Sequence, residues 1–238
     1  MKFNLSQIKF SKIDQNKNIN LPKKLTPLLA EVLGIHIGDG YLGYRKDRKS
    51  YLVQCMGNPR LDKQHYDLFM FSAWKKLFNI DLKLRNFQNG CYGFMVHSKA
   101  IGSFFHNSLE MPIGKKCRTI NIPDIIKRTY KKRISQEIIS CIRGIIDTDF
   151  FLTIDRGHPE LGAFFMSRNL VLDLNKYLRL MGMNPTLSLD KEYFDTSCRK
   201  NLIRHKIRIR KKKDVKKWIY SIGTHNPKFY KKINILRL

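Results

Sequence analysis

Acidic residues are scarce in this chain of 238: 19 Asp and Glu stand against 46 Lys and Arg, a formal charge of +27. A surplus that one-sided excludes a balanced surface and points to a polyanionic partner. Paired cysteines are also missing. The five present (Cys55, Cys91, Cys117, Cys141, Cys198) are odd in number and none forms a CxxC. That excludes a disulfide framework and the usual zinc sites, and suits a reducing compartment. The seven histidines form no HExxH. No apolar run reaches the ~18 residues of a membrane span, and no clean basic amphipathic helix speaks for an anionic membrane surface. The first residues, MKFNLSQIKFSKIDQ, carry charges throughout, so neither a secretory leader nor a membrane anchor is expected. What remains is 42% apolar residues, enough for one large domain or two small ones.

Two stretches share one grammar. Val32–Gly40 reads VLGIHIGDG and Ile142–Phe150 reads IRGIIDTDF. Each is apolar and small until it ends in a carboxylate, Asp39 or Asp149. Each holds a pair of small residues four apart, Gly34 with Gly38 and Gly144 with Thr148, which share a helix face and allow a second backbone to come close. Two such helices packed together would set Asp39 beside Asp149. Adjacent carboxylates raise each other's pKa unless a cation compensates, and paired oxygen ligands suit a hard divalent ion. Asp147 lies on a different face and is expected to be a structural polar contact; His36 is expected to be packed rather than a ligand.

The order of elements also repeats. Residues 1–24, polar and Lys/Asn-rich, read as a loosely held extension. Thr26-Pro27 caps a helix that runs to about Gly38, with Gly40 allowing a sharp turn. Strands follow at 41–45 and 51–56, a helix at 61–78, strands at 81–85 and 91–97, and a helix at 98–109. A basic linker, 111–134, leads to a helix capped by Ser135. Strands at 150–155 and 162–166, a helix at 170–180 ended by Gly182, strands at 186–190 and 203–210, and a last helix over 215–222 complete the second round. The reading is an α+β fold, a pseudo-two-fold monomer of two αββαββα halves at 25–110 and 135–238. In 203–210, Arg204, Lys206, Arg208 and Arg210 alternate with His205 and isoleucines, so period two puts the cations on one sheet face; Lys83 and Arg85 echo this faintly. With no anion nearby such a row would repel itself, which favours nucleic acid as its partner. Trp74, Trp218 and most phenylalanines fall at core positions.

These residues resemble the LAGLIDADG homing endonucleases in their single-chain, two-motif form. Leu25–Gly34 (LTPLLAEVLG) is similar to the lead-in to a first motif. Gly57–Asp62 (GNPRLD), Ile122-Pro-Asp124 and Ile222–Lys228 (IGTHNPK) resemble archaeal-type members, so the likeness spans roughly residues 20 to 235. It implies two antiparallel sheets forming a DNA-binding saddle, and cleavage of both strands of a long duplex site. It implies Mg²⁺ (or Mn²⁺) held by Asp39 and Asp149 with the carbonyls of Gly38 and Thr148. Arg45, Lys46, Arg48, Lys83, Arg85, Arg156, Arg168 and the cations of 203–210 are the candidate DNA contacts. Two features depart from the family: Phe150 replaces a glycine, and Gly57 and Leu152 stand where a lysine often supports the reacting phosphate. Gln54, Arg156 or Arg168 are candidates to substitute, Gln54 as a catalytic residue.

The rival readings are a nucleic-acid binder that does not cut, either an RNA maturase contacting its host intron RNA or a DNA-binding regulator, and a structural RNA-binding protein. The expected setting is the prokaryotic cytoplasm at the nucleoid, with an organelle as the alternative.

Overall fold

The computed structural model describes residues 1–196 and 199–236; Cys198 lies outside them, and the other four cysteines are free. Two helices form its spine. The first, Pro27–Asp39, starts where Thr26 Oγ1 accepts from the Leu29 N–H at 3.2 Å, with Pro27 at the first helical position. The second, Gln136–Asp149, starts where Ser135 Oγ accepts from Ile138 N at 3.2 Å. They cross backbone on backbone. A methyl placed on Gly34 would lie 2.0 Å from the Cys141 carbonyl oxygen, and one on Gly144 would lie 2.3 Å from that of Glu31. The small residues read from the sequence are therefore the contact itself.

Each spine helix runs straight into a four-stranded antiparallel sheet. The first holds β1 (Gly40–Arg45), β2 (Ser50–Gly57), β3 (Arg85–Asn86) and β4 (Tyr92–His97) in the order β1-β2-β4-β3. The second holds β5 (Phe151–Asp155), β6 (His158–Phe165), β7 (Thr186–Asp195) and β8 (Lys200–Ile209) in the equivalent order β5-β6-β8-β7. Helices Phe71–Phe78 and Lys99–Asn107 cover one sheet, and Arg168–Leu180 and Lys212–Ser221 the other. The α+β fold with its pseudo-two-fold is as expected. Trp74, Phe78, Phe94, Phe104 and Phe105 are fully buried under the first sheet, and Trp218 and Phe229 under the second; burial of each such ring contributes about 2–3 kcal/mol.

Several expectations need correcting. Residues 1–24 are not loose. Ile8, Ile19 and Leu21 enter the core, and Asp14 is fully buried, accepting from Ser98 Oγ at 2.7 Å and Ala100 N at 3.2 Å at the start of helix Lys99–Asn107. Sparse apolar residues among lysines hid this. Of 81–85 only Arg85 pairs in the sheet, although Leu82 is buried and Lys83 exposed as alternation requires. The basic linker contributes buried Ile120, Ile122, Ile125 and Ile126. Helix Lys212–Ser221 is not the last; Tyr230–Ile235 follows it. Gly40 has φ −86° and ψ 156°, ordinary extended backbone, so it is needed for space: a methyl there would meet His36 Nδ1 at 2.2 Å. Phe150, at the equivalent place, has φ −85° and ψ 148°, so replacing glycine leaves the chain path unchanged.

The spine contact makes a direct prediction. Gly34→Ala should cost about 3 kcal/mol in urea unfolding, because the helices must separate. Gly114→Ala, where a methyl meets nothing within 4 Å and only the positive φ is strained, should cost about 1–2 kcal/mol.

Candidate metal centre and nucleic-acid face

The spine helices end together. Asp39 and Asp149 line one cavity of about 520 Å³ with Gly57, Asp62, Thr148, Leu152 and Lys228. A methyl on Gly38 would touch Thr148 Oγ1 at 2.1 Å and Asp149 Oδ2 at 2.4 Å, so only glycine lets the second acid reach the first helix. Burial, then the negative charges of Asp149 and Asp62, push the Asp39 carboxyl up to about 8. Tyr66 opposes this by donating its hydroxyl to Asp39 Oδ2 at 3.0 Å. Asp149 is pushed up to about 6, mainly by burial, with Lys116 and Lys228 working the other way.

Sequence pattern alone does not show Asp62, Tyr66, Lys116 or Lys228. Tyr66 opens a π-helical stretch, Tyr66–Met70, between Lys63–His65 and Phe71–Phe78; such stretches are common at functional sites. Asp62 is buried and accepts from Asn58 N at 2.9 Å and Asn226 Nδ2 at 2.8 Å. Lys228 Nζ donates to Asp62 at 3.3 Å and to the Thr148 carbonyl at 2.9 Å. Lys116 Nζ donates to the carbonyls of Ile37 and Gly38, the latter at 2.8 Å. The two carbonyls expected to face a metal thus accept ammonium groups. Asp62 and Lys228 do close the GNPRLD and IGTHNPK stretches, which is the one signal the sequence offered.

A second polar network fastens the segment that carries Lys228. Glu31 pairs with Arg143 at 2.9 Å and with His225 Nδ1 at 2.5 Å, joining both spine helices to the C-terminal segment. Asp147 is fully buried and accepts from Thr224 Oγ1 at 2.5 Å and His225 N at 2.9 Å; it is the structural contact expected of it. His36 is packed against Phe105, with burial lowering it to about 3.

The donor set around the acids fits a hard divalent cation. Three carboxylates line the cavity with no imidazole beside them, Cys91 brings a thiol to its wall, and the carbonyls of Gly38 and Thr148 lie at the same helix ends, so oxygen dominates the donors. Gln54 lies on the open face of β2 opposite Tyr41 and Met95 and does not line this cavity. Arg156 lines a separate hollow with Glu160 and Arg210, and Arg168 pairs with Asp190 at 3.5 Å. The cations beside the acids are therefore Lys116 and Lys228, with Gln54, Arg156 and Arg168 placed elsewhere.

The basic face carries its own anion, contrary to expectation. Glu160 on β6 meets Lys206 at 2.7 Å, Arg210 at 3.3 Å and Arg208 at 4.0 Å. Arg204 lies between the rings of Phe164 and Tyr193, 4.5 and 4.4 Å from their centroids. On β8, His205, Ile207 and Ile209 are buried as alternation requires, while Ile203 is 49% exposed. In the first sheet Arg85 stands over Phe87, Arg45 and Arg48 share Asp47, and Lys46 and Lys83 are exposed.

Because folding raises both carboxyl pKa values, the native metal-free chain holds protons that the unfolded chain has released. Stability from these groups is therefore greatest below about pH 4 and falls as pH rises through about 6 and then 8. Melting temperature without divalent metal should decline across that window, and Asp39→Asn should flatten the decline in a scanning-fluorimetry series.

No protein-family model matches the sequence, and no curated protein matches it. Solved structures do. The chain superposes on I-DmoI in complex with DNA and Ca with a TM-score of 0.58 and 21% identity, covering 89% of this chain and 98% of that one. On the homing endonuclease I-WcaI bound to its DNA recognition sequence the values are 0.57 and 14%, covering 93% and 92%. Full-length DUF199/WhiA from Thermatoga maritima is also similar, at 0.52 and 14%; 94% of this chain matches, against 65% of that protein's length. Identities this low speak for architecture and leave activity to the site. In element order, paired sheets and crossed spine helices, the chain has the fold of the homing endonucleases I-DmoI and I-WcaI.

Proposed function

We propose that this protein is a site-specific endonuclease that hydrolyses both strands of a long duplex target, acting as a monomer. The observation that carries this is the meeting of Asp39 and Asp149, from equivalent ends of the two spine helices, in one cavity. One chain supplies both acids, so two strands can be served without a partner subunit. Asp39, Asp149 and the carbonyls of Gly38 and Thr148 would hold Mg²⁺ or Mn²⁺. When bound, such ions supply charge neutralisation at the phosphate and an activated water. Tyr66 orients the Asp39 carboxylate, and Lys228 sets positive charge at the cavity wall. I-DmoI and I-WcaI are solved with DNA, and I-DmoI with Mn, Mg or Ca, which supports carrying both over to this chain.

A reading as a binder that does not cut is favoured by Gly57 and Leu152, which line the cavity without offering a lysine. The two readings separate in one experiment. Plasmid carrying the joined sequences that flank the gene should be linearised by purified protein with Mg²⁺, and Asp149→Asn should lower the rate by at least about a thousandfold. DNA that is bound but intact in Mg²⁺ and Mn²⁺ decides for the binder.

Duplex binding should weaken steeply with salt. If ~8 phosphates are contacted, the log–log slope is about −7. Glu160→Gln releases Lys206, Arg208 and Arg210 from their internal anion and should tighten binding to random-sequence duplex several-fold in a fluorescence-anisotropy titration.

A further inference from the structure

Lys116 and Lys228 obey the pseudo-two-fold, although their flanking sequences place Ile-Gly and Pro in different order and at different spacing. Lys116 follows helix Lys99–Asn107 of the first half, and Lys228 follows the equivalent helix of the second, Lys212–Ser221. Each segment turns back toward the spine helix of its own half. Lys116 Nζ lies 2.8 Å from the Gly38 carbonyl, and Lys228 Nζ lies 2.9 Å from that of Thr148. Gly38 and Thr148 are both the residue before the terminal acid. Both segments are also anchored: Gly114 N donates to Leu42 O at 2.8 Å, and Asn226 Nδ2 donates to Asp62 and to the Asp147 carbonyl, both at 2.8 Å. Two stretches of different sequence, MPIGKK and THNPK, thus deliver the same group to the same atom.

The carbonyl at a helix C-terminus carries the negative end of the helix dipole. With the carboxylate next to it, it makes an oxygen pair that a divalent cation would take. An ammonium group and a metal ion cannot both lie on that carbonyl at close range. We propose that Lys116 and Lys228 are built-in competitors of the two divalent cations, each holding the carbonyl of its own half until a metal ion displaces it. The displaced ammonium is left at the cavity wall, next to where a phosphate would lie. Metal entry and positive charge for the DNA backbone are thereby linked. No bond is made or broken; one ion exchanges for another on the same oxygen. This inference takes from the endonuclease reading only the presence of divalent cations.

The test is Mn²⁺ binding to DNA-free protein, followed by electron paramagnetic resonance and calorimetry. Lys228→Met and Lys116→Met should each tighten one of two sites by at least about tenfold, since a like charge a few ångströms away is removed, and the double variant should tighten both. Lys228→Arg, which keeps the charge, should bind as the wild type does. Folding is checked by melting with and without Mn²⁺; because the lysines act on separate helices, either variant alone suffices. Unchanged or weaker Mn²⁺ affinity in a folded Met variant, with two sites present in the wild type, overturns this inference and leaves the endonuclease reading standing. A wild type that binds no Mn²⁺ without DNA also overturns this inference, and plasmid cleavage then decides the endonuclease reading separately.

Discussion

The structure depends on two helices touching through their main chains. At Gly34 and Gly144 no side chain intervenes, and the opposite carbonyls occupy the space a methyl would need. Everything functional is downstream of that crossing. It sets the two terminal acids in one cavity, it fixes where the two sheets start, and it relates the halves by a pseudo-two-fold. Apolar burial along the helices supplies the energy, but the glycines decide the distance at which it is collected.

That closeness has an electrostatic cost, and the surrounding residues answer it. A chain with a surplus of 27 positive charges nonetheless concentrates Asp39, Asp62 and Asp149 in one place, where burial and mutual repulsion hold two of them above their usual range. Tyr66, Lys116 and Lys228 reduce the repulsion. On the outer face the roles reverse, with Glu160 drawing three cations together. Each site thus carries a minority of the opposite sign, which offsets part of the repulsion within its majority.

What the sequence made legible is what is local. The two motif runs, the caps at Thr26 and Ser135, the strand pair after each spine helix and the alternation of 205–209 all depend on residues close in sequence, and all are found. Residues contributed from afar were illegible. Lys116 reaches back 78 residues to Gly38, Lys228 80 residues to Thr148, and Asn226 164 residues to Asp62; no spacing rule connects them. Tyr66 looked like any core aromatic of an amphipathic helix, because the π-helical stretch that directs its hydroxyl to Asp39 has no pattern of its own. The packing of residues 1–24 was hidden by composition: three buried apolar side chains among lysines and asparagines leave no periodicity to read.

The position after each acid shows how a signature can fade while the shape beneath it persists. Gly40 and Phe150 adopt the same extended dihedrals. One leaves room for an imidazole; the other fills its own half's interior, with its ring 6.1 Å from that of Phe165. Judged by residue letters, the second motif has decayed; judged by backbone angles, nothing has happened to it. Divergence at this site is therefore governed by the volume available beneath each sheet, and chains of this architecture with bulky residues there are better sought by the carboxylate and the helix exit than by glycine.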